Sequence, residues 1–203
     1  MHMVESLPKL ERLSLENLIT CETVSNFQVV PMPHLHHLII VTLRAPINLQ
    51  SSNLPRTQLI SLRLQGLHNV SSLVKLCPSL SKLVLVLDSE LGETLPQPPV
   101  VVRHKHVKVL SLWFKKDSSS QFVEEIKAMK KVLDILEFPS LVTFSVRCSK
   151  RPLISHCKAG LAIVDKFIQR SSCTLTRFDS HNICIFDCLD IFTTILYYPP
   201  QHI

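Results

Sequence analysis

Three kinds of residue in this chain could do chemistry. Histidines cluster twice, as His34, His36 and His37 and as His104 and His106. On a strand, residues two apart share a face, so His34 with His36, or His104 with His106, could each offer two metal ligands. A zinc site needs four ligands, or three and a water, and neither pair is followed by a second half at matching spacing. The expectation is surface histidines on loops and strand edges, with no metal site. Cys184 and Cys188 lie four apart and could share a helix face, but no Cys-x-x-Cys pair occurs. A free cysteine behaves as a small apolar side chain, so core cysteine is the expected role. Nucleophilic catalysis asks for a nucleophile on a strained turn, a base and an oxyanion hole. There is no Gly-x-Ser-x-Gly, and 3 glycines in all leave little with which to build that turn or a phosphate loop. Glu124 and Glu125 read as a solvated pair on a helix surface. Neither an enzyme activity nor a cofactor is expected.

The remaining candidates serve recognition: the single tryptophan, Trp113, with Arg63, Lys82, Arg147, Val84, Val86 and His181. What would gather them is a repeat, Leu-x-x-Leu-x-Leu. It is clearest at Leu10, Leu13, Leu15, at Leu59, Leu62, Leu64 and at Leu80, Leu83, Leu85. Variants stand at Leu35, Leu38, Ile40; Val107, Leu110, Leu112; Leu141, Phe144, Val146; and Leu175, Phe178, Ser180. First anchors at 10, 35, 59, 80, 107, 141 and 175 give steps of 25, 24, 21, 27, 34 and 34 residues. Several of these steps match the roughly 20–29 residues of a leucine-rich repeat. Pro8, Pro33, Pro78 and Pro139 each stand two residues before a first anchor.

Each motif reads as a short strand whose alternate residues point to opposite faces. The fold expected is α/β, an irregular leucine-rich-repeat solenoid. About seven short parallel strands would form its concave face, with helices or loops on the convex face. The anchors turn inward, and the residues between them form three outward rows. One row is Arg12, His37, Ser61, Lys82, Val109, Thr143, Arg177. The next is Ser14, Ile39, Arg63, Val84, Ser111, Ser145, Asp179, and the third is Glu16, Val41, Gln65, Val86, Trp113, Arg147, His181. Seven strands at about 4.8 Å spacing span roughly 29 Å. The middle would expose Val84, Val86 and Trp113, edged by Arg63, Lys82 and Arg147, an arrangement like a protein-interface hot spot. The competing reading has Trp113 covering a sheet edge against the long insertion before it.

The crossovers are readable mainly in the second half. Gln121–Leu136 places Phe122, Ile126, Met129, Leu133 and Leu136 on one helical face, with Ser118 and Gln121 as a capping box and Pro139 as a stop. Leu161–Gln169 and Asp187–Tyr197 predict two more helices, with Gly160 near the start of the first, and Ser71–Leu76 has room for a turn or two. Ala45–Arg56 and the proline-rich Ser89–His106 read as loops. Leu10 begins a strand almost at once and Asp187–Ile203 reads as a crossover awaiting its strand. Residues 1–203 are therefore expected to be one repeat domain, a segment of a longer solenoid.

Composition narrows the class further. The chain is 46% hydrophobic without a continuous apolar run near the ~20 residues of a membrane helix. It shows no secretory signal, and 7 scattered cysteines suit a reducing cytoplasm or nucleus. The net charge of +6 is dispersed, with short clusters at Arg103–His106 and Lys150-Arg151. Such charge could draw an acidic partner or nucleic acid. Nucleic acid is the weaker reading, because aromatic residues for stacking are few.

Three segments carry a family resemblance: Cys77-Pro-Ser-Leu-Ser-Lys-Leu-Val-Leu85, Phe138-Pro-Ser-Leu-Val-Thr-Phe-Ser-Val146 and Phe167-Ile-Gln-Arg-Ser-Ser-Cys-Thr-Leu-Thr-Arg-Phe178. With the repeat they resemble the leucine-rich-repeat region of fungal F-box proteins, over most of the chain. The resemblance implies a non-enzymatic protein–protein interaction module, the target-recognition repeats of an F-box-like ubiquitin-ligase adaptor. A Skp1-type adaptor would be a partner only through an F-box, and none is seen here, since Leu7-Pro8-Lys9-Leu10 runs straight into a strand. The alternatives are a basic nucleic-acid-binding repeat module and a degenerate fragment without independent function. The position three after the last anchor is Leu18, Leu43, Leu67, Asp88, Lys115, Ser149 and Ile183, so no asparagine ladder would form and an irregular arc is expected.

Overall fold

Proline sets up the strands. In a computed structural model that describes residues 9–16, 32–41, 55–65, 70–87, 101–114, 122–148 and 154–181, Pro33, Pro78 and Pro139 each take the second position of a tight turn. The turns close through Leu35 N–H to Met32 C=O (3.2 Å), Leu80 N–H to Cys77 C=O (3.0 Å) and Leu141 N–H to Phe138 C=O (3.1 Å). Proline's fixed φ suits that position, and it has no N–H to lose there. The donor of each turn is a first-anchor leucine, so the turn delivers the anchor into the interior just before the strand begins. A one-turn 3₁₀ helix, Arg56–Gln58, takes the same place ahead of Leu59.

The strands in chain order are β1 (Arg12–Glu16), β2 (His37–Val41), β3 (Ser61–Gln65), β4 (Lys82–Leu87), β5 (Val102–Arg103), β6 (Val109–Phe114), β7 (Leu136–Glu137), β8 (Thr143–Arg147) and β9 (Arg177–His181). The helices are α1 (Val70–Leu76), α2 (Phe122–Ile135) and α3 (Ile154–Ser171). Seven strands form one parallel sheet in the order β1-β2-β3-β4-β6-β8-β9, and β5 pairs with β7 in a second, two-stranded parallel sheet. The fold is therefore α/β with a seven-stranded parallel sheet laid down in chain order. One hydrogen-bond pattern recurs at every step of the large sheet. The carbonyl just before each strand (Glu11, His36, Ile60, Ser81, Lys108, Val142) accepts two successive N–H groups from the start of the next.

Anchor burial explains the register. Leu35, Leu59, Leu80, Val107 and Leu141 are all buried, as are Leu38 and Ile40, Leu62 and Leu64, Leu83 and Leu85, Leu110 and Leu112, and Phe144 and Val146. Each fully buried side chain of this kind is worth about 1.5–3 kcal/mol, and a slip of one residue would turn the whole set to the other face. Leu10 and Leu13 on the β1 side, and Phe178 and Ser180 in β9, are only half-buried.

On the core side, α2 presents Met129, Val132, Leu133 and Ile135 at helical spacing. Helix α3 presents Leu161, Val164, Phe167 and Ile168, and Phe167 meets Phe138 and Phe144 at ring-centroid distances of 6.3 and 5.8 Å. Phe144 also meets Phe178 of β9 at 5.5 Å. Arg170 of α3 donates to the carbonyls of Leu133 and Leu136, satisfying acceptors that the end of α2 leaves open. Ser172, with φ 50°, ends α3 in the left-handed conformation usual after a helix, and its N–H bonds to Gln169 C=O at 3.1 Å.

Several expectations change. Helix α3 starts at Ile154, so Gly160 lies inside it instead of near its start. A Cβ on Gly160 would come within 3.4 Å of the Met129 methyl, which marks a close approach of α2 and α3. Val102–Arg103, assigned to a loop, pairs with Leu136–Glu137, two residues that continue directly from α2. Glu125 is buried at 2% exposure, not solvated, whereas Glu124 is exposed and paired with Lys127. The proposed helix Asp187–Tyr197, the Cys184–Cys188 pair, the capping box of Ser118 and Gln121, and most of the Ala45–Arg56 loop lie outside the described residues.

Candidate recognition face

The parallel register brings the three outward rows into being. Arg12, His37, Ser61, Lys82, Val109, Thr143 and Arg177 are paired strand to strand, and so are the rows containing Arg63 and Trp113. Since side chains alternate along each strand, all three rows lie on the face opposite the anchors. We call it the open face.

At its centre, Trp113 stands half-buried on β6, an interior strand with β4 and β8 on either side. It is therefore not an edge cover. The guanidinium carbon of Arg63, from β3, lies 4.6 Å from the Trp113 ring centroid, and that of Arg147, from β8, lies at 5.2 Å. Both fall within the roughly 6 Å range over which a cation is attracted to an indole face. Arg147 is the direct cross-strand neighbour of Trp113, but Arg63 reaches it from two strands away. The Arg63 side chain must therefore pass over β4, where Val84 and Val86 sit.

That path corrects the expectation that Val84 and Val86 are exposed. They are 6% and 8% exposed, yet they stand apart from the main apolar core cluster. They are valines of the open face roofed by their neighbours, and they contribute a floor, not a contact surface. Lys82, Arg147 and His181 are exposed and Arg63 is half-buried, so the solvent-facing part of this face is the arginine–tryptophan stack with Lys82 and His181 beside it. In the adjoining row Ser145 Oγ donates to Ser111 Oγ at 2.7 Å, a cross-strand hydroxyl pair next to Trp113. Both serines belong to one outward row, but a hydroxyl pair formed across strands leaves no local signal in the sequence.

Neither histidine pair is built as the spacing suggested. His34 and His36 precede β2, and His104 and His106 follow β5, so neither pair shares a strand face. His104 is buried, contrary to its assignment to the surface. Its Nε2 lies 2.9 Å from Cys77 C=O and its Nδ1 accepts from His106 N–H at 3.3 Å. With Nδ1 accepting, Nε2 carries the proton and donates to Cys77. His104 thus tethers the segment after β5 to the turn before β4. Among the described residues, no group of three or more His, Cys, Asp or Glu could hold a metal ion. Cys77, Cys148 and Cys173 are buried thiols. Burial pushes Cys77 and Cys173 up to about 11, against a small opposing pull from Arg56 on Cys77. Among the described residues, no helix is long and apolar enough to cross a membrane.

No family model, curated protein or solved structure matches the chain.

Proposed function

We propose that this chain is a non-enzymatic leucine-rich-repeat module that binds a protein partner through the open face of its seven-stranded sheet. The observation that carries this reading is the convergence of Arg63, Trp113 and Arg147 from three strands onto one ring. Tryptophan and arginine are the residues in which interface binding energy most often concentrates. Here they are held by a sheet whose register fixes their spacing. The resemblance to fungal F-box proteins supports a narrower version, in which the face selects a target for ubiquitination. A Skp1-type adaptor would then be engaged through an F-box and not through these strands.

The experiment is affinity capture with mass spectrometry on the wild-type chain beside a Trp113→Ala, Arg147→Ala double variant, with circular dichroism to show that both are folded. Loss of a defined protein partner in the variant is the expected result. An unchanged partner set would move the interface off this face, and recovery of nucleic acid with a steep salt dependence would favour the nucleic-acid reading.

A further inference from the structure

We propose that the partner segment is acidic, with a carboxylate seated between the guanidinium groups of Arg63 and Arg147 beside Trp113; this rests on the protein-binding reading above. The charge on the open face is one-sided. Among the residues whose side chains are described, by register it carries Arg12, Arg63, Lys82, Arg147 and Arg177 against Asp179. Asp179 is taken by Arg177, at 2.8 Å on its own strand. Arg63, Lys82 and Arg147 have no ion-pair partner among the described residues.

Two guanidiniums at 4.6 and 5.2 Å from one ring centroid are closer to each other than the sum of those distances. That upper bound of about 9.8 Å is comparable to the Debye length of about 8 Å at physiological salt, so repulsion between the like charges is reduced but not abolished. The Trp113 ring offsets only part of the repulsion, and a shared anion would offset the rest. Arg63 Nε is buried with no hydrogen-bond partner among the described residues, so this guanidinium keeps a donor that the face does not satisfy internally. The planar guanidinium fork matches a carboxylate better than any neutral acceptor. An extended peptide rising about 3.3 Å per residue would need roughly nine residues to cross the sheet. Among the described residues of the outward rows Trp113 is the only Phe, Tyr or Trp, too few for a run of stacked bases, which favours peptide over nucleic acid.

The test is fluorescence anisotropy with a labelled nonapeptide in which glutamate alternates with leucine, beside the same peptide with glutamine for every glutamate. The expected result is that the glutamate peptide binds the wild-type chain, more weakly as salt rises. Arg147→Gln and Lys82→Gln should each weaken it, the former about tenfold, and Arg147→Lys should retain part of the affinity. Lys131→Gln, on the exposed side of α2, should leave binding unchanged. Equal binding of the glutamine peptide, an equal loss with Lys131→Gln, or tighter binding of a single-stranded RNA of matching charge would each overturn the proposal. If the capture experiment still loses a protein partner with the Trp113 and Arg147 substitutions while the glutamate peptide shows no preference, the acidic assignment fails and the protein-binding reading stands.

Discussion

The guanidinium of Arg63 reaches Trp113 by crossing an intervening strand, and ends 4.6 Å from the ring centroid. The contact joins β3 to β6 across β4, the strand that carries the buried Val84 and Val86. The side chain proposed for recognition is thus also a local packing element, so substitutions at this place should have two effects that different measurements separate.

Trp113→Ala should cost stability as well as binding. Two cation–π contacts of about 0.5–1 kcal/mol each are lost, and the two valines beneath are uncovered. A total of about 1–3 kcal/mol is expected in chemical denaturation. Trp113→Phe keeps a ring for both guanidiniums and should lose less than half of that.

His104→Ala should destabilise the chain by about 1–3 kcal/mol, because the buried carbonyl of Cys77 and the partly buried N–H of His106 both lose a partner. His34→Ala, at an exposed turn, should stay within about 0.5 kcal/mol of wild type. Thermal unfolding of the two variants side by side decides whether His104 is structural.

Gly160→Ala should stabilise α3. Glycine in a helix interior costs about 1 kcal/mol relative to alanine, and the added methyl meets only the mobile end of Met129 at ordinary contact distance. Gly160→Leu should instead push α2 and α3 apart and cost about 1–3 kcal/mol. Urea denaturation midpoints should rise for the first and fall for the second.

The thiols of Cys77 and Cys173 should be protected from alkylating reagents in the folded chain and react on unfolding. Burial raises both from 9.0 to about 11. The unfolded chain therefore gives up these protons first as pH rises. Their contribution to stability is complete below about pH 9 and declines between pH 9 and 11. Denaturation midpoints followed across that window should fall, and a Cys77→Ala, Cys173→Ala variant should show a flatter profile.

Much of the sheet is legible in the sequence because its signal is local and repeated. The anchors Leu59, Leu62 and Leu64 recur as Leu80, Leu83 and Leu85, and burying one set fixes the register of the next. Hence the outward rows, and the position of Trp113 among arginines, follow from spacing alone. The roofing of Val84 and Val86 does not, since it depends on where one long flexible side chain lies. Strand β5 was hidden because two residues are too few for an alternating pattern, and its pairing with β7 is purely tertiary. His104 was read as a surface residue because its partners, Cys77 and His106, include a carbonyl far away in sequence. Glu125 was misplaced because two adjacent glutamates on a helix look alike, and only the packing of α2 separates the buried one from the exposed one.

A partner on the open face would shield Lys82, and lysine footprinting of the captured complex reads that shielding. Lys82 is exposed on the open face, while Lys131 on α2 and Lys166 on α3 are exposed on helices. Acetylation followed by mass spectrometry, with and without partner, should show Lys82 protected and Lys131 and Lys166 unchanged. Protection of Lys131 and Lys166 with Lys82 still reactive would put the partner on the helices and contradict the account.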